Sequence, residues 1–169
     1  MNLDRKYLVL ATITGFLVAF DQLTKIYVHS SFILGESVPV IPGIFHFTYV
    51  RNIGAAFGLF REMPEIFRQI FFLSMPPIAM GIILYMLRSV PNTDRWQVFA
   101  LSLIFGGAIG NYIDRLRFGY VIDFLDVHYK DVWSYPAFNI ADSGIVIGVI
   151  LLLLMMTKRD MATTKSKKK

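Results

Sequence analysis

Gln69-Ile70-Phe71-Phe72-Leu73-Ser74-Met75-Pro76-Pro77-Ile78-Ala79-Met80-Gly81-Ile82-Ile83-Leu84-Tyr85-Met86-Leu87 is nineteen residues without a charge, closed by Arg68 on one side and Arg88 on the other. A bilayer's hydrocarbon core, about 30 Å thick, needs roughly 20 apolar helical residues, so this stretch reads as a membrane span. Working outward, three more runs meet the same criterion: residues 7–28, 96–113 and 140–156. Whole-chain composition agrees, with 55% apolar residues, 17% charged and a mean hydropathy of +0.54 over 169 residues. That is too apolar for an ordinary soluble domain, and it carries neither the charge excess of a disordered chain nor a repeat period. The absence of cysteine excludes disulfide frameworks, thiolate zinc sites and a thiol nucleophile. The expected fold is mainly α: a single integral-membrane domain, a four-helix bundle with a small extracytoplasmic β-structure and an interfacial helix.

Orientation follows from where the basic residues fall. Both termini and the 88–95 loop together hold Arg5, Lys6, Arg88, Arg95, Lys158, Arg159, Lys165, Lys167, Lys168 and Lys169, against Asp4, Asp94 and Asp160. That side is net positive and the remainder net negative, which puts both termini in the cytoplasm and leaves residues 29–68 and 114–137 outside. The basic tail, 157–169, is expected to rest against anionic membrane lipid. The basic residues lie at chain ends and between apolar runs rather than along a stripe, so nucleic acid is not an expected partner. No small-x-small site follows Phe20, so the first span is read as an uncleaved helix.

Within the first outer segment, Ile44 to Val50 alternates in the manner of a strand between Pro42-Gly43 and Asn52. Residues 62–72 mix Glu62, Glu65 and Arg68 with Ile66, Phe67 and Ile70, as an interfacial helix feeding the second span would. Pro76-Pro77 is expected to kink that span.

Polar residues at the outer ends of the spans carry the functional signal, because ionisable groups at that depth are costly. Five clusters converge on one face: Asp21-Gln22-Leu23-Thr24-Lys25, Arg51 to Gly58, Gly110 to Arg115, Val121 to Phe124, and Phe138 to Ser143. Each also has a plain structural explanation. Asp21 and Lys25 stand i, i+4 and can pair along a helix. Asp114, ending a helix where the dipole disfavours an anion, calls for a cation, and Arg115 or Arg117 is adjacent. Asn139 with Asp142 three residues on has the form of an N-cap and acidic third position. Asp123 can be a lone interfacial acid.

The available chemistry is narrowed by what is missing. His29, His46 and His128 are isolated, no His-Glu-x-x-His or Gly-x-Ser-x-Gly occurs, and no span interior carries histidine, so no metal or serine centre is expected. A Ser–Lys pair built on Lys25 is the residual nucleophilic arrangement. Carboxylates are abundant: Asp21, Asp114, Asp123, Asp126, Asp131 and Asp142. Two of them held together can hydrolyse an amide, one ionised to deprotonate water and one protonated to supply the acid. Sequence spacing lets either Asp114 or Asp123 partner Asp142. Asp114 sits beside Arg115, which favours its ionised form, whereas Asp123 has no adjacent cation; this favours Asp123.

Taken together, Asp21-Gln22-x-x-Lys25, Arg51-Asn52-x-Gly54-Ala55-Ala56-Phe57, Gly106-Gly107-Ala108-x-Gly110-Asn111-x-x-Asp114-Arg115, Val121-x-Asp123-Phe124 and Phe138-Asn139-x-Ala141-Asp142 resemble the lipoprotein signal peptidases, signal peptidase II, over about residues 20–148. The resemblance implies an aspartic membrane endopeptidase, without cofactor, that cuts diacylglyceryl-modified prolipoproteins before the lipidated cysteine. It places the catalytic pair on Asp123 and Asp142, and supporting or substrate-binding roles on Asp21, Lys25, Asn52, Gly54, Asn111, Asp114, Arg115 and Asn139. The three asparagines can bond the substrate backbone, Arg115 can hold a carbonyl or Asp114, and Gly54 admits a close peptide. Two other classes stand beside this one. A channel or transporter would line a polar path with the aspartates, but the inner halves of the spans supply no ionisable groups. A scaffold would use the small residues of 106–110 for packing but has no use for five polar clusters at one face. The sequence assigns no oligomeric state.

Overall fold

A computed structural model of the chain describes residues 4–54, 59–60, 62–130 and 132–167, with side chains as far as residue 157. Ala55, Ala56, Phe57 and Gly58 of the second cluster, Asp131, and the basic side chains of the tail lie outside the described residues. Four long helices account for most of it: α1 (Arg5–Ser31), α2 (Glu65–Ser89), α3 (Arg95–Phe118) and α4 (Ile140–Lys167). All four are long and apolar enough to cross a membrane. Their outer faces carry exposed Phe16, Leu23, Ile66 and Tyr85, as lipid-facing surfaces do.

α3 is the central helix and packs against the other three. Hydrophobic segregation cannot hold helices together in lipid, so close approach through small residues must. At Gly107 an added Cβ would fall on the carbonyl of Ala141 in α4, and at Gly110 it would meet Asp21 Oδ2 of α1 at 2.6 Å. Side chains there would push α1 and α4 off α3, and the polar contacts described below would open with them.

Two apolar clusters close the ends of the bundle. At the Arg5 end, Leu10, Ile83, Leu87, Val98 and Leu101 pack together. At the other end Val28, Tyr49, Ile122 and Phe124 join the helix tops to a four-stranded antiparallel sheet of β1 (Ser37–Ile41), β2 (Phe45–Asn52), β3 (Val121–Tyr129) and β4 (Trp133–Ser134), in that order. β2 forms over the alternating sequence read at 44–50, with only Tyr49 among its residues buried. Strand β3 carries no such alternation, because its first four residues are all buried. A register shift between Phe47 and Val50 places Val50 opposite Asp123 and Asn52 opposite Val121. Bulges of this kind re-aim side chains, and this one lies beside the polar centre.

Two boundaries differ from the sequence reading. α2 runs unbroken from Glu65 to Ser89 with Pro76 and Pro77 inside it, so the expected interfacial helix is simply its first turns. α3 continues past residue 113 to Phe118, so Asp114 and Arg115 stand on its last turns rather than in the following loop. The helix stops at Gly119, whose φ of +77° gives the left-handed cap, its N–H bonding the Arg115 carbonyl.

Candidate active site

The turn at Gly119 returns the chain so that β3 runs beside the end of α3, and Asp114 Oδ2 fixes it by accepting the Ile122 N–H at 3.0 Å. This delivers Asp123 to the helix tops. Asp142 arrives from another direction, on the first turn of α4. Asn139 Oδ1 accepts from the Asp142 N–H at 2.9 Å, and Asp142 Oδ2 accepts from the Asn139 N–H at 3.3 Å. The N-cap signature therefore forms as a reciprocal capping box, which satisfies two otherwise unpaired donors and fixes the orientation of Asp142.

Asparagines then hold both carboxylates. Asp123 Oδ1 accepts from Asn139 Nδ2 at 2.7 Å and its Oδ2 from Asn52 Nδ2 at 2.9 Å. Asp142 Oδ1 accepts from Asn111 Nδ2 at 2.7 Å. Asn139 thus touches both acids, one through its side-chain NH2 and the other through the cap. The Asn111 carbonyl oxygen faces away from the pair, accepting from Lys25 Nζ at 2.9 Å and Asn139 Nδ2 at 3.2 Å. Neither Asp123 nor Asp142 has an ion-pair partner among the described residues. Asp123 is 1% exposed, and burial first, then the charge of Asp142, pushes its carboxyl from the ordinary 3.8 to about 7.

Beneath the pair lies a second polar centre. Lys25 Nζ, also buried, sits 2.9 Å from Asp21 Oδ2 and 3.1 Å from Asp114 Oδ2. The i, i+4 pair read on α1 does form, as a buried three-member cluster spanning α1 and α3. It also corrects one expectation. The cation bonded to Asp114 is Lys25 of the neighbouring helix, and Arg115, one residue on and about 100° round α3, faces elsewhere. Arg115 turns instead to the Gly54 carbonyl, donating from Nη2 at 2.6 Å, with its guanidinium 3.7 Å from the Phe72 ring centre. Asp21 completes the cluster by accepting the Ala141 N–H at 2.9 Å, which ties α1 to the start of α4.

Asn52, Gly54, Asn111 and Arg115 line one cavity of about 630 Å³ together with Asp123 and Asp142. Its apolar wall comes from α2 and α4, with Met75, Pro76 and Ala79 facing Ile145 and Val146. Asp21, Lys25, Asp114 and Asn139 lie behind that lining. Sequence reasoning missed Gln22 as a member: its Nε2 donates to Asp114 Oδ1 at 2.9 Å, the Gly110 carbonyl at 3.1 Å and Asp21 Oδ2 at 3.2 Å. A glutamine inside an apolar run, next to Asp21, was the available signal. Tyr135, which closes one side of the cavity with Phe138, carried none.

The model of the family described as signal peptidase (SPase) II matches residues 13–158. A lipoprotein signal peptidase of Syntrophus aciditrophicus (strain SB) is 49% identical over 157 residues, covering 92% of this chain and 97% of the relative. One of Geobacter metallireducens is 43% identical over 159 residues, covering 94% and 96%. Among solved structures, a bacterial membrane enzyme determined by the in meso method at 2.3 Å resolution superposes with a TM-score of 0.79 at 36% identity, covering 88% of this chain and 87% of that one.

Proposed function

This chain belongs to the lipoprotein signal peptidase family, multi-pass bacterial membrane peptidases that remove signal peptides from prolipoproteins, and on that premise we propose that Asp123 and Asp142 are its catalytic pair. The observation that carries the assignment is that these two aspartates, Asp123 buried and Asp142 half-buried, line the same cavity with amide donors and no bonded cation, while buried Asp21 and Asp114 share a lysine. A raised carboxyl near 7 lets Asp123 keep its proton close to neutral pH. Asp142 begins as the base, at the positive end of the α4 dipole.

In the first step Asp142 takes a proton from water, whose oxygen attacks the scissile carbonyl, and Asp123 gives its proton to the developing oxyanion. The resulting gem-diol is neutral and the two acids have exchanged protonation states. In the second step Asp142 protonates the leaving nitrogen, Asp123 recovers a proton from one hydroxyl, and the C–N bond breaks to a carboxylic acid and an amine. Both residues return to their starting states without metal or covalent intermediate. Arg115, anchored on the Gly54 carbonyl and Phe72, stiffens the cavity mouth. Asn52, Asn111 and Asn139 hold the acids in register, and Asn52 and Asn111, which line the cavity, are placed to meet the substrate backbone.

The proposed substrate is a diacylglyceryl-modified prolipoprotein cut immediately before its lipidated cysteine. The gap between α2 and α4 suits a helical signal peptide entering from the lipid, with its lipidated end at the sheet. The basic excess around the termini argues that the termini are cytoplasmic and the aspartates extracytoplasmic. A channel gains no support, since Gly107 against Ala141 and Leu17 against Gly144 close the bundle beneath the site.

The deciding experiment joins purified chain in detergent with a precursor bearing diacylglycerol on its cysteine, and reads products by mass. A product beginning at the lipidated cysteine, formed by wild type in the presence of chelator and not by Asp123→Asn or Asp142→Asn, is expected. Cleavage by folded Asp123→Asn protein would overturn the assignment.

A further inference from the structure

The end of the bundle away from the aspartates holds a second cavity, of about 420 Å³, between the first turns of α1 and α3. Arg95 and Asp114 are 19 residues apart on one helix, so this cavity lies roughly 28 Å from the candidate active site. Arg5, Lys6, Asn92 and Arg95 supply its polar lining and Val9, Val98 and Phe99 its apolar lining, with Trp96 beside them. No carboxylate lines it among the described residues. The nearest acids in sequence are Asp4, exposed before Arg5 at the start of α1, and Asp94, which accepts the Gln97 N–H with Oδ1 and so caps α3.

The polar groups differ in what they can offer. Lys6 is buried and its ammonium is committed, donating to the carbonyls of Arg88 at 2.8 Å and Val90 at 3.0 Å, where it caps the end of α2. Asn92 spends Oδ1 on the Lys6 backbone N–H at 3.4 Å, which leaves its NH2 as a donor. Arg5 and Arg95 make no side-chain hydrogen bond or ion pair among the described residues. Two guanidiniums and an amide donor beside an apolar lining, with an exposed indole next to them, match an amphiphile with an anionic head. Arginine forks suit phosphate oxygens, and tryptophan suits the level of a bilayer where headgroup meets chain.

We propose that this cavity is a binding site for one anionic membrane phospholipid, its phosphate between Arg5 and Arg95 and the start of an acyl chain along Val9, Trp96 and Phe99. Such a lipid links the first turn of α1 to that of α3 at the end where Lys6 already links α1 to α2. It is independent of the peptidase chemistry.

The test uses the full chain in neutral maltoside detergent, with lipid retention read by native mass spectrometry. Phosphatidylglycerol, phosphatidylcholine and glycerol 3-phosphate are supplied in separate arms. One phosphatidylglycerol per chain is expected to be retained, phosphatidylcholine not, and glycerol 3-phosphate at the same concentration is expected neither to bind nor to displace the lipid. Affinity should fall about fivefold for each guanidinium lost and about 25-fold in the Arg5→Gln/Arg95→Gln double variant. The Arg5→Lys/Arg95→Lys double variant keeps most of it. Arg88→Gln, which removes a charge at the same end without lining the cavity, binds as wild type, and precursor cleavage in neutral detergent is unchanged throughout. Equal retention of both lipids by wild type overturns the proposal even if the glutamine variant does not fold. Full retention by the folded glutamine variant, an equal loss in Arg88→Gln, or displacement by glycerol 3-phosphate overturns it as well.

Discussion

Four aspartates cluster near the top of this bundle, Asp21, Asp114 and Asp123 buried and Asp142 half-buried, and they divide into two pairs with opposite solutions to the same problem. Asp21 and Asp114 surround Lys25, which reaches both carboxylates within 3.1 Å, and Gln22 fills remaining acceptors. Asp123 and Asp142 receive only neutral amides. A buried charge without a counterion is expensive, so the first pair is matched by a cation and held still, while the second, on the proposed reading, is left able to exchange a proton. Burial alone therefore does not distinguish the proposed catalytic carboxylates; the absence of a bonded cation does.

The comparison breaks most directly at the second pair. Asp123→Asn and Asp142→Asn should each lower precursor cleavage by at least about a thousandfold, since an amide can neither accept nor donate the required proton. Their thermal midpoints in detergent should not fall, because asparagine preserves shape. A comparable loss of midpoint would move these residues into the structural class.

Next in size is the lysine. Lys25→Met strands two buried carboxylates and should cost about 3–5 kcal/mol, read as loss of monodisperse folded protein. Adding Asp21→Asn and Asp114→Asn to it should restore folding, and thereby much of the activity, if the cluster is structural. Restored folding with no cleavage would give Lys25 a chemical part through Asn111.

Asn139→Ala comes third. It removes the cap of α4 and the bond to Asp123, so about 1–2 kcal/mol of stability should go, with kcat falling more than KM rises. Asn139→Ser, which keeps the cap acceptor but not the reach to Asp123, should recover stability ahead of kcat.

The smallest effect is in pH. Between about pH 4 and 7 the folded Asp123 carboxyl holds a proton that the unfolded chain has released. The native state binds more protons there, so this residue's contribution makes stability decline as pH rises through that window. Asp123→Asn should consequently raise the thermal midpoint more at pH 8.5 than at pH 5.5. For the same reason kcat/KM of the wild type should fall on the alkaline side with an apparent midpoint near pH 7, a value belonging to the pair rather than to one residue. A midpoint difference independent of pH would show the proton is not held.

Much of this was legible before the coordinates. The four helices could be read because lipid imposes a length and excludes charge, a constraint the 69–87 run shows without ambiguity. β2 could be read because its sequence alternates between turn residues, although only Tyr49 among its residues is buried, whereas β3 begins with Val121, Ile122, Asp123 and Phe124 all buried, which erases the period of two. The polar centre was legible as a set of residues, not as a wiring diagram. Adjacency in sequence suggested Arg115 or Arg117 for Asp114, but helix geometry turns Arg115 towards Gly54 and leaves Asp114 facing α1. Gln22 went unread as a ligand of the cluster because a single amide in a span has many possible neighbours.

The Lys25 cluster also bears on how the chain is made. α1 carries Asp21 and Lys25 four residues apart, and so enters the bilayer as a self-neutralised segment. α3 follows later in synthesis with Asp114, whose counterion resides on a helix already inserted. The docking of α3 on α1 is thereby checked by charge: a wrong register leaves a carboxylate in hydrocarbon, and the right one closes the cluster. The same lysine that keeps the finished site still acts as a proofreading device during assembly.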